Sequence, residues 1–301
     1  MSDSSHIIPG SGRPGVSDAY NIEGHETPET RPLIPLGQRY YGEERPRMGF
    51  FTDTSVCIGC KACEVACKEW NDVPDVIGEL TGESYDNTSS LGANTWRHVA
   101  FIEQRIPTEV PDADGDVRWL MSSDVCKHCT EAPCLDVCPT GALFRTEFGT
   151  VVVQEDVCNG CGYCIPACPF GVLDRREDDG RAWKCTLCYD RLKGGMEPAC
   201  AQACPTDSIQ FGPLDELREK ANGRLEMLHE AGVEEARLYG ANEEEYGMGA
   251  FFLLLDEPEV YGLPPDPEVV TRKLGSLWGA AALAAGALAA GVAAAFIGGG
   301  R

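Results

Sequence analysis

Positive charge is scarce in this chain. Its 301 residues carry 25 Lys and Arg against 48 Asp and Glu, a net charge of −23. Phosphate backbones are held by clustered Lys and Arg, so nucleic acid is excluded as a partner. The acidic excess reads as a solvated surface that steers basic partners. Histidine is scarce too, with five residues scattered along the chain. No glycine fingerprint for a nucleotide and no Ser/His/Asp pattern is present, so no residue set here turns over a substrate. The start, Met1 to Pro14, is polar and lacks the apolar stretch of a secretory leader.

Cysteine, by contrast, is abundant, with 16 residues. A disulfide framework is one bland reading, but the expected lack of a leader and the crowding of the thiols argue against it. The thiols fall into four runs: Cys57-x2-Cys60-x2-Cys63-x3-Cys67, Cys126-x2-Cys129-x4-Cys134-x3-Cys138, Cys158-x2-Cys161-x2-Cys164-x3-Cys168 and Cys185-x2-Cys188-x11-Cys200-x3-Cys204. Pro139, Pro169 and Pro205 follow the last three. Structural zinc uses two ligand pairs well apart in sequence, often with histidine, and these runs do not match that pattern. The third run has the bacterial ferredoxin spacing for an iron–sulfur cluster. Gly160 and Gly162 let its backbone curve round a small inorganic core, and Pro169 is placed to open a helix.

Four runs of four thiols satisfy four 4Fe–4S clusters with none left over. In two-cluster ferredoxins the fourth cysteine of a run ligates the other run's cluster. Only a hairpin separates Cys138 from Cys158, so runs two and three are expected to exchange fourth ligands, which leaves run one for run four. The expected sets are Cys126, Cys129, Cys134 with Cys168, and Cys158, Cys161, Cys164 with Cys138. The remaining sets are Cys57, Cys60, Cys63 with Cys204, and Cys185, Cys188, Cys200 with Cys67. Pairing run one with two and three with four is the competing topology.

The expected fold class is α+β, two ferredoxin-like dicluster domains with insertions and a single C-terminal transmembrane helix. Residues 1–47 read as an extended or disordered arm. The four-cluster region spans 48–265, entered by a strand over 48–56. Residues 70–120 read as an insertion with a strand at 96–106 and a hairpin turn at Asp112-Ala-Asp114-Gly-Asp116. Leu143–Val153 is a hairpin turning near Phe148-Gly149. Cys138-Pro-Thr-Gly-Ala-Leu, Cys168-Pro-Phe-Gly-Val-Leu and Cys204-Pro-Thr-Asp-Ser-Ile repeat one pattern, a helical turn ending in an apolar residue that opens a strand. Leu214–Glu235 is an amphipathic helix, Phe251–Leu255 a buried strand and Pro258–Pro267 a connector. Residues 266–273 form a linker.

The tail from Leu274 to Ile297 has no charged residue. As a helix it would reach about 36 Å at about 1.5 Å per residue, enough for a bilayer core of about 30 Å. Small residues at four-residue spacing, as at Gly275/Gly279 and Ala282/Gly286/Ala290, suit close approach of another helix. A membrane anchor packed on a membrane subunit is the expectation, and an Ala-rich helix buried in a soluble complex the alternative. Arg272 and Lys273 before the segment, against Arg301 after it, favour a cytoplasmic hydrophilic domain at the cell membrane.

The four spacings, in this order, resemble the four-cluster electron-transfer subunits of molybdopterin or tungstopterin oxidoreductases over residues 48–265. Within that group, Cys57-Ile-Gly-Cys-Lys-Ala-Cys-Glu-Val-Ala-Cys-Lys-Glu-Trp-Asn71, Trp183-Lys-Cys-Thr-Leu-Cys-Tyr-Asp-Arg191 and Asp256-Glu-Pro-Glu-Val-Tyr-Gly-Leu-Pro264 are similar to the β subunit of formate dehydrogenase. The resemblance implies a non-catalytic subunit that relays electrons through four 4Fe–4S clusters. Its implied partners are a pterin-containing catalytic subunit that oxidises formate and an integral membrane subunit linked to quinone or haem. The same role in a polysulfide, thiosulfate or similar reductase is an alternative, as is a freestanding ferredoxin. His128 has two readings, a donor to a cluster sulfur or a solvent-facing or turn-capping residue. Lys184 likewise either offsets cluster charge or is simply solvated. Trp70 and Trp183 read as packing against cluster loops.

Overall fold

A computed structural model describes residues 46–74, 85–105, 117–242 and 247–298. The arm up to residue 45 and the expected turn at 112–116 lie outside the described residues.

The frame is a four-stranded mixed sheet whose members come from opposite ends of the chain. Its strands are β1 (Met48–Asp53), β8 (Ile209–Pro213), β9 (Arg237–Tyr239) and β10 (Ala250–Leu254), in the order β8-β1-β10-β9. β1 runs parallel to β10, with Phe50 opposite Ala250, and antiparallel to β8, with Phe51 opposite Gln210. β10 is buried throughout, as expected for a central apolar strand. The two strands approach closely at Gly49, where any Cβ would stand 2.1 Å from the Gly249 carbonyl oxygen.

Side chains alternate across β1 and divide the molecule into two layers. Phe51 packs with Phe251, Leu253, Leu214 and Leu217 beneath helix α6 (Leu214–Glu230). Phe50 faces the other way, into a core it shares with Cys63, Cys67, Cys126 and Cys200. The sheet thus backs the whole cysteine-bearing layer. Helix α6 stops at residue 230, five short of the expected Glu235. Gly232 takes a left-handed φ of 86°, and the N–H groups of Gly232 and Val233 cap the carbonyls of His229 and Leu228.

The cysteine layer is built from short pieces. Helix α1 (Ala62–Asn71) is followed by a long hairpin of β2 (Arg97–Arg105) and β3 (Val117–Val125). Then come α2 (Pro133–Asp136), the hairpin β4 (Leu143–Arg145) and β5 (Val151–Val153), and α3 (Cys164–Ala167). A two-residue hairpin, β6 (Asp174–Arg175) and β7 (Ala182–Trp183), leads to α4 (Tyr189–Lys193) and α5 (Ala199–Gln202). The first strand ends at Asp53 instead of Val56, because the Asp53 carboxylate accepts the Ser55 N–H and starts a 3-10 turn.

The repeated Cys-Pro segments differ from their sequence-based reading. Pro169 does not open a helix; the short helix α3 lies before it, and α2 and α5 likewise precede Pro139 and Pro205. A proline disfavours helical geometry in the residue before it, and Cys168 is accordingly extended, at φ −81° and ψ 115°. The first run has Lys68 where the others have proline, and α1 continues through it to Asn71. The second half of the pattern matches at Leu143 and Ile209, which open β4 and β8.

At the C-terminus, helix α7 (Leu274–Gly298) stands clear of the rest. Its Gly275–Phe296 stretch has a mean hydropathy of 1.8, is long and apolar enough to cross a membrane, and buries none of its residues. Its root is tied to the body where Thr271 Oγ1 donates to Asp136 at 2.7 Å and Arg272 pairs with Glu131.

Candidate metal centres

All 16 cysteines are free thiols. The structure gathers them into four groups. Cys57, Cys60, Cys63 and Cys204 line one small cavity, site A. Cys67, Cys185, Cys188 and Cys200 line a second, site B. Cys126, Cys129, Cys134 and Cys168 line a third, site C. Burial, then the neighbouring Cys138, Cys158 and Cys161, push the Cys164 thiol up to about 11, which marks these four as site D.

The loops that make these groups share one backbone device. In the first Cys-x-x-Cys pair of each run the residue before the second cysteine is left-handed: Gly59 at φ 63°, His128 at 43°, Gly160 at 71° and Leu187 at 58°. The turn aims backbone N–H groups inward, as where Leu187 N–H meets Cys185 Sγ at 3.3 Å. Gly160 is needed twice over, since a Cβ there would stand 2.3 Å from the Gly180 carbonyl oxygen. After each of the last three runs' short helices, the fourth cysteine's N–H closes on the carbonyl three residues back: Cys138 on Leu135, Cys168 on Ile165 and Cys204 on Ala201. The third cysteine sits inside the helix and the fourth just beyond it, so the two serve different cavities.

The sites follow one another in a row. Cys63 of site A and Cys200 of site B interact electrostatically, as do Cys185 of site B and Cys126 of site C. Sites C and D exchange segments through the packed helices α2 and α3. Burial varies along the row. All four thiols of site B are buried, whereas Cys60 in site A and Cys161 in site D are exposed.

Burial raises several of these thiols. It lifts Cys63 and Cys188 to about 11 and Cys185 to about 12, with neighbouring cysteines adding to it at Cys188 and Cys185. Cys138 moves the other way: burial opposes its charge, but N–H and hydroxyl donors around Leu143 and Thr140 outweigh it. Such a thiol set is made for positive metal, which displaces the protons. Zinc needs its sulfurs within about 2.3 Å. Among the described residues no three His, Cys, Asp or Glu side chains close on one ion in that way. Four thiols spread round a cavity suit a polynuclear core instead.

Several polar groups around the sites have no Cys-motif signature. Arg97, at the start of β2, is fully buried and donates from Nη2 to Cys200 Sγ at 3.2 Å and from Nη1 to the Ser123 carbonyl at 3.1 Å. Burial works against its charge, yet the thiolates of Cys200, Cys63 and Cys185 push its pKa above the ordinary arginine value. Ser123 Oγ in turn lies 3.2 Å from Cys63 Sγ. Asn71 offers its amide to Cys67 and Cys188, each at 3.7 Å. Lys184 is buried, not solvated, and donates to the carbonyls of Val151 and Cys185. His128 is buried as well, which removes its solvent-facing reading. Its Nδ1 accepts the Val151 N–H at 3.1 Å, so Nε2 carries the proton, and that nitrogen has no protein partner. Burial and then the cations Lys184 and Arg47 hold this ring neutral. Trp183 stacks against Trp96 and Arg176, whereas Trp70 lies under Arg191 and is exposed.

The fold and donor sets define the class: residues 56–142 and 117–214 each match a family described as 4Fe-4S dicluster domain. The chain therefore carries two ferredoxin-like dicluster units. It is 43% identical over 231 residues to the formate dehydrogenase, nitrate-inducible, iron-sulfur subunit of Escherichia coli (strain K12), covering 75% of this chain and 74% of that relative. To the formate dehydrogenase-O iron-sulfur subunit of the same organism it is 38% identical over 248 residues, 80% of this chain and 78% of the relative. To the B subunit of anaerobic dimethyl sulfoxide reductase, also of that organism, it is 40% identical over 177 residues, 57% of this chain and 76% of the relative. The chain belongs to the family of formate dehydrogenase iron–sulfur subunits, which also includes the dimethyl sulfoxide reductase B subunit.

Proposed function

We propose that sites A, B, C and D each hold one 4Fe–4S cluster and that the chain is the electron-transfer subunit of a formate dehydrogenase, without catalytic residues of its own. The observation that carries this is the row of four four-thiol groups, open at both ends and buried in the middle. The clusters supply one-electron transfer when bound. The protein's own residues hold them in line, keep water from the middle of the row, and place N–H, guanidinium and amide donors against the ligand sulfurs. The β2–β3 hairpin is read as the insertion, and it carries the Arg97 guanidinium and the Ser123 hydroxyl to those sulfurs.

The two ends are read as the points of exchange. Exposed apolar side chains lie beside both: Ile58 at site A, with the touching rings of Tyr85 and Trp119 nearby, and Val157 and Tyr163 at site D. Such groups mark partner contacts. The root of α7 is fastened to α2, which lies between the cysteines of sites C and D. That supports site D as the membrane-proximal end and site A as the end facing the pterin-containing catalytic subunit. Helix α7 is read as a single-pass anchor packed on a membrane subunit linked to quinone or haem. The charge count favouring a cytoplasmic domain rests on Arg272 and Lys273, and both are ion-paired in the fold, with Glu131 and Glu268. A reporter fused after Arg301 reads the side directly: activity in the periplasmic compartment supports a cytoplasmic domain, and activity in the cytoplasm contradicts it.

The wider coverage of the formate dehydrogenase relatives favours formate over a sulfoxide or polysulfide as the complex's substrate. The test is to purify the native complex anaerobically and add formate. Reduction of the clusters by formate, with a pterin-containing large chain present, is the expected result. Clusters that dithionite reduces and formate does not would assign the wire to another oxidoreductase.

A further inference from the structure

Two fully buried cations, Arg97 and Lys184, have no acid to pair with among the described residues. Arg97 contacts the Ser123 carbonyl and hydroxyl, Cys200 Sγ and the face of the Phe50 ring, 4.9 Å from its guanidinium carbon. No carboxylate among the described residues is within ion-pair distance of it, and its Nε has no partner. Lys184 is in the same position, held only by backbone carbonyls. Lys127, the third fully buried cation, has its acid in Asp124. An uncompensated buried charge is strongly destabilising, so the compensation for Arg97 and Lys184 must come from elsewhere in the core.

The placement of both supplies it. Arg97 stands at the junction of sites A and B. It touches Cys200 of site B directly, and through Ser123 Oγ, 3.4 Å from its Nη1, it reaches Cys63 of site A. Lys184 stands at the next junction, where its charge acts on Cys134 of site C and Cys185 of site B. Four thiolates outweigh the positive charge of an iron–sulfur core, so each loaded site is net negative and an added electron makes it more so.

We propose that Arg97 is a positioning residue that electrostatically bridges sites A and B, raising the reduction potential of both and of site B most. The proposal rests on the reading that these sites hold clusters. An electron arriving at either site adds a negative charge, and no proton accompanies it, since arginine stays protonated throughout. The fixed guanidinium stabilises the reduced state of both neighbours, so an electron moves between them without first crossing a deep low-potential step. The β2–β3 hairpin has a purpose on this account. It carries Arg97 and Ser123 into a junction that no cysteine motif reaches.

The experiment is a potentiometric titration of the anaerobically purified complex, with dithionite as reductant and the four reduced centres followed by low-temperature EPR. Iron content is measured on the same samples. With iron undiminished, Arg97→Gln is expected to shift the reduced-to-oxidised ratio of two of the four centres at least tenfold towards oxidised, 59 mV for one electron. The other two centres stay put. Arg97→Lys keeps the charge and is expected to retain most of the effect, which a merely structural role would not predict. Ser123→Ala removes only the link to Cys63 and is expected to shift one centre, by about threefold. Full iron with unchanged potentials in Arg97→Gln overturns the bridge and leaves the cluster assignment standing. If Arg97→Gln loads less iron, the other two variants decide: no shift in Ser123→Ala, or a full tenfold shift in Arg97→Lys, overturns it. Wild-type protein without iron would instead defeat the underlying reading.

Discussion

Site B keeps all four of its thiols under cover, with an arginine and an asparagine reaching its sulfurs, whereas sites A and D each leave one cysteine in solvent. The difference follows from where each site sits on the sheet. Site B lies behind Phe50, at the centre of the shared core, and its ligands come from α1, α5 and the loop before α4. Sites A and D each rest on a Cys-x-x-Cys-x-x-Cys loop whose middle cysteine, Cys60 or Cys161, faces out. On the proposed function, exposure would let an end site meet a partner, while burial would shield a middle site from water and demand charge compensation from the protein. The two designs of site would then answer one question, whether the electron is entering, leaving or passing through.

The largest test of that contrast is ligand removal. Cys185→Ala strips a ligand from a site built into the core and is expected to abolish accumulation of soluble, iron-loaded chain. Cys161→Ala is expected to cost about a quarter of the iron and leave the other three centres, since each site holds an equal share. Iron analysis and EPR of both variants check this, and equal losses would erase the distinction. Oxidative breakdown comes next. Ferricyanide titration should bleach the centres in two phases, the end sites first; a single phase would count against differential shielding.

A smaller effect concerns the metal-free chain and pH. Folding raises Cys63 and Cys188 to about 11 and Cys185 to about 12, chiefly by burial, so the folded form keeps protons that the unfolded chain releases near pH 9. The unfolded state then binds fewer protons, and stability falls as pH rises from 9 towards the folded values. Cys138, held below its ordinary value by N–H and hydroxyl donors despite partial burial, contributes with the opposite sign at the exposed end. The urea midpoint of the metal-free chain should therefore drop between pH 8 and pH 10, and a flat or rising midpoint would contradict the burial account. The smallest effect on the sites should come from deleting residues 274–301. The shortened chain is expected to leave the membrane fraction with its iron unchanged, because α7 buries none of its residues against the body.

Which of these features the sequence announced has a physical pattern. Much of the thiol chemistry is local: at least two thiols of each group lie within a few residues of one another, so the four runs are visible as spacing. The hairpin at 143–153 and the buried strand at 250–254 were legible from turn residues and an unbroken apolar run. Non-local partners were not. Nothing near Arg97 points to Cys200, 103 residues away, and nothing near Met48–Asp53 announces a parallel strand some 200 residues on. A lysine beside a motif looks the same whether it is solvated or offsets cluster charge, and the burial of Lys184 is what removes solvation. Pro169 suits a helix start by its residue type, whereas its effect on Cys168 makes it a stop. His128 shares its place before a cysteine with Gly59, Gly160 and Leu187, but a histidine there does not announce the left-handed φ of 43° that it adopts.

On the proposed function, four groups of four thiols hold four electron-carrying cores in a row. Iron and acid-labile sulfide analysis of anaerobically isolated chain, with low-temperature EPR of the dithionite-reduced sample, tests it most directly. About sixteen irons per chain, four for each group, and a spectrum broadened by interaction between neighbouring reduced centres is the predicted result. Eight or fewer irons, or stoichiometric zinc in a colourless protein, would contradict it.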